Sequence, residues 1–183
     1  ADDTVRLVVI AGNGPAFCAG HDMREMRADP DEDGYQNLFA ASSRLMLALM
    51  RLPQPVIAKV AGAASAAGAQ PVASCDLAVA AESVLFATPG VDIGLFCSTP
   101  MVAISRAVGR KQTLEMLLTG APIDARAAVA MGLINKAVPP AALDAAVAEL
   151  AATIVDKPAR VIALGKQAFY RQLEMGLSDA YAY

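Results

Sequence analysis

The 183-residue sequence predicts an α/β domain (α+β by some schemes), with short strands in its first hundred residues and helices after them. Three observations predict it. The chain is 56% hydrophobic and 18% charged, which gives apolar surface enough for a packed core and too little charge for a disordered tail. Short apolar runs bounded by Gly and Pro recur before Pro100, at residues 5–10, 56–60, 77–80 and 84–87. After Pro100 the apolar spacing turns helical, with Gly109, Asp124 and Gly132 as start and stop signals.

Each element follows from its own residues. The strand at 5–10 leads into a Gly and Pro loop at 12–20, and a short helical start follows at 22–26. The acidic patch at 29–33 reads as a solvated loop. Leu38, Leu45, Leu49 and Leu52, with Met46 beside them, recur at helical spacing until Pro53 and Pro55 stop the helix. After the strand at 56–60, residues 62–68 are Ala, Ser and Gly, too small to fill a core and suited to close backbone approach. Gln70-Pro71 reads as a helix start, because proline loses nothing in a first turn. Beyond the strands at 77–80 and 84–87, helices are expected from 100 to 109, 110 to 119 and 124 to 132. A strand at 134–138 precedes Pro139-Pro140, and helices at 143–155 and 159–175 follow. The expected division is a β-rich core over residues 1–115 and a helical region over 116–183.

Composition also excludes. A net charge of −3 supplies no basic face for phosphates, which argues against nucleic acid as a partner. The richest apolar run, 56–72, is broken by Lys59, Gly62, Gly68, Gln70 and Pro71, so no membrane span is expected. Cys18, Cys75 and Cys97 are odd in number and far apart, and the single histidine, His21, cannot complete a zinc set with them. Free thiols in a reducing cytoplasm are expected, while a chain that begins without Met leaves organellar targeting open. No GxSxG elbow, dinucleotide fingerprint or GxxxxGK[ST] loop occurs.

Four segments in order carry a resemblance. They are residues 5–26, with Phe17-Cys-Ala-Gly-His-Asp-Met-Arg24; residues 52–62 with Cys75-Asp76; Phe86-Ala-Thr-Pro-Gly-Val-Asp-Ile-Gly94; and residues 117–133. Together they resemble the enoyl-CoA hydratase/isomerase (crotonase) superfamily, and Gly94-Leu-Phe-Cys-Ser-Thr-Pro100 resembles its enoyl-CoA hydratase domain-containing subgroup. The resemblance implies a crotonase-like spiral of ββα units with a C-terminal helical region used for trimerisation, as a homotrimer or hexamer. It implies an acyl-CoA or enoyl-CoA ligand, no cofactor beyond the CoA moiety, and two backbone N–H groups that polarise the thioester carbonyl.

Carried over by position, those donors are the N–H groups of His21 and Ala67. The stretch His21, Asp22, Met23 and Arg24 matches the part that touches CoA, and Asp22 also suits a helix cap. The two hydratase glutamates fall on Gln70 and Gly90, and the aspartate of a dienoyl isomerase falls on Ser98. Glutamine orients water but accepts no proton at neutral pH, and glycine does neither. The standard hydration is therefore expected to be weak, and restoring both glutamates is expected to raise it. Asp92 shares the face of Gly90 only if that segment is extended, and His21 is the one imidazole available as an acid or base. Cys97 and Ser98 are candidates for lining the acyl pocket.

Overall fold

A computed structural model describes residues 4–28 and 30–183. Two four-stranded sheets form among the described residues. In the first, β1 (Val8–Ala11), β3 (Val56–Val60), β5 (Leu77–Ala81) and β8 (Lys136–Val138) lie in parallel, with Ile57 opposite Leu77 and Val79 opposite Lys136. In the second, β2 (Ala16–Cys18), β4 (Ala63–Ser65) and β6 (Leu85–Ala87) are parallel, and β7 (Ile123–Asp124) runs antiparallel to β6. The first six strands go alternately to the two sheets, and a helical segment follows each pair. After β2 come α1 (Met23–Ala28) and α2 (Glu32–Arg51), after β4 comes α3 (Ala69–Ser74), and after β6 come α4 (Ser98–Ala107) and α5 (Arg110–Thr119). This is a spiral of ββα turns.

Central position explains β3. Val56, Ile57, Ala58 and Val60 are wholly buried, as expected of a parallel strand covered on both faces. β2 and β4 have no such signature, since three small or mixed residues carry no alternation. They are strands because their registers with each other and with β6 satisfy their backbone groups. The loop expected at 12–20 therefore contains a strand.

The acidic patch is not a solvated loop. Asp31 caps α2 by accepting from the Gly34 N–H at 2.8 Å, and Glu32 and Asp33 occupy its first turn, where the helix dipole favours acids. Asp29 lies outside the described residues. Of the periodic residues on α2, Met46 and Leu49 are buried, but Leu45 is 55% exposed.

The C-terminal half rejoins the sheets. α6 (Ala125–Met131) starts from an Asp124 cap, with the Ala127 N–H 2.7 Å from Oδ1, and ends at Gly132 with φ 84°. α7 (Leu143–Val155) packs on β3 and β5, and α8 (Ala159–Gln172) and α9 (Leu177–Ala182) follow. The boundary expected between 115 and 116 falls inside α5, and β7 and β8 each complete a sheet. Residues 116–183 are thus woven into the core through those two strands.

Candidate active site

Two loops meet backbone to backbone at the ends of β2 and β4. Gly20 has φ +101°, and a Cβ built on it would lie 3.2 Å from the Ala67 nitrogen and 3.3 Å from the Ala66 Cβ. Gly68 presses against Cys18 so closely that a Cβ there would overlap the Cys18 carbonyl. Only glycine permits this approach at both positions. Ala66 adopts φ 50°, the one positive φ outside glycine among the described residues, at a cost on the order of 1–2 kcal/mol. Ala67 follows it within a 3-10 turn (Ala66–Gly68), whose leading N–H groups have no intrahelical acceptor. Neither the Ala67 nor the His21 N–H takes part in a turn or loop backbone bond among the described residues.

His21 is held from outside. Its ring meets Phe39 of α2 edge to face, with centroids 5.4 Å apart and planes at 85°. Asp22 accepts from the Arg24 N–H at 2.8 Å and so caps α1. Tyr35 of α2 donates to the Met26 carbonyl at 2.8 Å, tying α1 to α2. Met23 is half-buried and Arg24 exposed on α1.

One turn beyond Ala67, Gln70 is 4% exposed, and its Oε1 is buried with no hydrogen-bond partner. It lines a cavity of about 1110 Å³ between α2, α3, α4 and α8. Met46, Met50, Leu52, Val102, Ala103 and Leu164 form apolar walls. Of the predicted site residues, only Gln70 lines it.

Gly90 is buried in a second 3-10 turn (Pro89–Ile93). A Cβ there would stand 2.7 Å from the Leu95 carbonyl oxygen and 2.9 Å from Cys97 Sγ. A glutamate at 90 would therefore require the Leu95 backbone and Cys97 to shift, and the expected rescue by restoring both carboxylates depends on that shift. Because the segment is a 3-10 turn and not extended, Asp92 does not share the face of Gly90. Its Oδ2 lies 3.0 Å from where a Cβ on Gly120 would sit, at the end of α5. Ser98 is an exposed first residue of α4, and Cys97 is buried against Gly90.

With that geometry in view, the relatives are informative. The whole chain, residues 1–183, matches the enoyl-CoA hydratase/isomerase family. The chain belongs to that family. It is 47% identical over 180 residues to the Xenopus laevis enoyl-CoA hydratase domain-containing protein 3, mitochondrial, a match covering 98% of this chain and 61% of that protein. Among solved structures, the enoyl-CoA hydratase of Mycobacterium smegmatis superposes with a TM-score of 0.97 at 53% identity, covering 99% of this chain and 70% of that one. The human enoyl-CoA hydratase domain-containing protein 3 gives 0.95 at 45%, covering 99% and 72%. The chain spans about three fifths of the length of the curated vertebrate relatives it matches. Those relatives are named as mitochondrial proteins, so they lend no support to the cytoplasmic placement expected from the thiols.

Beside the site, this crotonase-family chain carries a polar cluster that the sequence reading missed. Asp76 Oδ2 accepts from Lys166 Nζ at 2.6 Å and from the Val56 N–H at 2.7 Å, while Oδ1 accepts from the Tyr170 hydroxyl at 2.8 Å. Lys166 also donates to the Leu49 and Gln54 carbonyls, each at 3.0 Å. Burial, with the Asp76 charge adding to it and Lys166 opposing, pushes the neighbouring Cys75 thiol up to about 12. Burial first, then the Asp76 charge and hydrogen bond, raises the Tyr170 phenol as well. The cluster clamps α8 onto β3 and β5 and so fixes one wall of the cavity. Among the described residues no group of three or more His, Cys, Asp or Glu could hold a metal ion, and no helix is long and apolar enough to cross a membrane.

Proposed function

We propose that the chain binds acyl-CoA or enoyl-CoA thioesters and stabilises an enolate-type anion between the N–H groups of His21 and Ala67. The observation that carries this reading is the contact of the Gly20 backbone with Ala66 and Ala67, which brings two otherwise unengaged N–H groups into neighbouring loops. Pre-oriented donors of this kind stabilise a developing oxyanion, and losing one typically costs about 10²–10³ in rate. His21, Asp22, Met23 and Arg24 are assigned to the CoA moiety, and no cofactor is assigned beyond it. Strain at Ala66 fits a backbone turned to aim the next N–H.

The test is the carbonyl stretch of a bound acyl-CoA, read by infrared or Raman difference. Proline at 67 removes the donor but also restricts the residue before it, so Ala66→Gly serves as the reference and Ala66→Gly/Ala67→Pro as the probe. The reference should keep the downshifted carbonyl and the probe should lose most of the shift. An identical frequency in both variants ends the assignment.

A second reading, a non-catalytic acyl-CoA-binding homologue, draws on the missing carboxylates at Gln70 and Gly90. A third, hydration with relocated acid and base groups, would need His21 or Asp92. Loss of the enoyl absorbance of crotonyl-CoA separates them. Turnover near the common enzyme median of about 10 s⁻¹ would require relocated groups, and none would favour the binder. Assembly as a homotrimer or hexamer is part of the first reading. Val161, Phe169 and Leu173 on and just after α8 are more than half exposed, an apolar face for a second copy to cover. A stable monomer at micromolar concentration in sedimentation would remove that part.

A further inference from the structure

The cavity beside Gln70 has a chemistry that enolate stabilisation does not use. Three arginines from three helices line it, namely Arg51 at the end of α2, Arg106 at the end of α4 and Arg171 on α8. Arg106 donates from Nη1 to the Val102 carbonyl at 3.0 Å, and the one carboxylate in the lining, Glu174, has Oε1 3.6 Å from Arg106 Nε across an exposed pair of little strength. Arg171 lies over the Tyr183 ring at 4.5 Å, and Arg51 has no acceptor among the described residues. The neighbouring Lys166 and Asp76 cancel each other.

The lining is also graded. Along α4 it passes from Thr99 in the first turn, through Val102 and Ala103, to Arg106 in the last, a rise of about 10 Å. Gln70, whose buried Oε1 lacks a donor, sits one turn beyond Ala67, where the thioester would lie. An unsatisfied buried acceptor is the mark of a place that a ligand or a water completes. The lining is therefore polar at Gln70 and Thr99, apolar at Met46, Met50, Val102, Ala103 and Leu164, and cationic at Arg51, Arg106 and Arg171.

We propose that this cavity takes acyl thioesters whose chain ends in a carboxylate. The methylenes lie against Met46, Met50, Val102 and Leu164, and the terminal anion meets Arg51, Arg106 and Arg171. Guanidinium groups recognise a carboxylate through paired N–H donors, and three of them on separate helices fix its position as well as its charge. The inference rests on the acyl-CoA reading above. It adds which acyl chains are preferred.

Calorimetry with matched pairs tests it: hexanoyl-CoA against adipoyl-CoA, octanoyl-CoA against suberoyl-CoA, decanoyl-CoA against sebacoyl-CoA, with free CoA alongside. At one chain length or more the dicarboxylic thioester should bind about tenfold tighter than its partner. In Arg51→Gln/Arg171→Gln, which leaves Arg106, most of that preference should be lost, with the monocarboxylic affinity unchanged and the unfolding midpoint preserved. Equal affinities within every pair would overturn the inference while leaving the acyl-CoA reading intact. If the double variant weakened free CoA and both partners alike, the arginines would belong to the CoA phosphates, and the inference would be overturned. No binding of any thioester or of CoA would remove both readings together.

Discussion

Two polar regions of this molecule, one part-buried around Asp76 and one buried at Gln70, are built on opposite terms. Around Asp76 every group named has a partner: both carboxylate oxygens accept, and Lys166 donates to Asp76 and to two carbonyls. Around Gln70 the terms reverse. Its Oε1 has no donor, the N–H groups of His21 and Ala67 are unengaged in the surrounding turns, and Ala66 is strained. Unsatisfied groups and strain cost stability in the unliganded fold, so they persist where something else completes them. The cluster that looks most chemical, a part-buried Lys, Asp and Tyr, is the one that closes on itself. On this contrast Asp76 is structural, and Gln70 belongs to the proposed binding site.

The largest expected effect tests the satisfied side. Lys166→Met leaves the largely covered Asp76 without its cation and frees the Leu49 and Gln54 carbonyls. Breaking one member of a buried pair typically costs about 3–5 kcal/mol, to be read from urea midpoints. A loss below about 1 kcal/mol would mean that the cluster is no clamp.

The next effect sharpens the same side through pH. The Cys75 thiol is raised from 9.0 to about 12 by burial first and the Asp76 charge second. A raised pKa stabilises the fold fully below the unfolded value, and that stabilisation is lost as pH rises from 9 toward 12. At pH 10.5 the Cys75 share of the loss is about 2 kcal/mol. Tyr170, raised for the same leading reason, adds to the loss at higher pH. The fall in unfolding free energy between pH 8 and 10.5 should therefore shrink by about 2 kcal/mol in Cys75→Ala. An unchanged slope would place the alkaline loss elsewhere.

The two sides were not equally legible in the sequence. Helices with punctuation at both ends were read to the residue, as at α5 between Gly109 and Gly120 and α7 after Pro139-Pro140. β2, β4 and β7 were missed, since strands of two or three residues are made by register with distant neighbours and leave no local periodicity. Asp76 was seen within a motif, but its partners stand 90 and 94 residues later on a helix whose own pattern reveals nothing of them. At the site, glycine and alanine wealth announced a close approach at residues 62–68, and Gly68 against Cys18 is that approach. The strain at Ala66, the orphaned oxygen of Gln70 and the want of room at Gly90 are properties of packing. They could not be read from residue types.

The smallest expected effect tests the unsatisfied side, and its sign matters more than its size. Gln70→Leu replaces the amide by an apolar group of similar volume, removing a buried acceptor that has no donor. A buried group left unpaired carries a desolvation penalty of about 1–3 kcal/mol, and part of any gain is lost because leucine must repack among Ala69, Val72 and the cavity wall. The unliganded protein should therefore be unchanged or more stable by about 1 kcal/mol in urea unfolding. Acyl-CoA affinity or turnover should fall in the same variant, because the acceptor that a ligand or its water would meet has gone. Opposite signs for stability and binding are what a site shows and a clamp does not. If Gln70→Leu instead lowered stability by 2 kcal/mol or more, about the cost of a satisfied buried polar group, Gln70 would belong with Asp76 and the contrast would collapse.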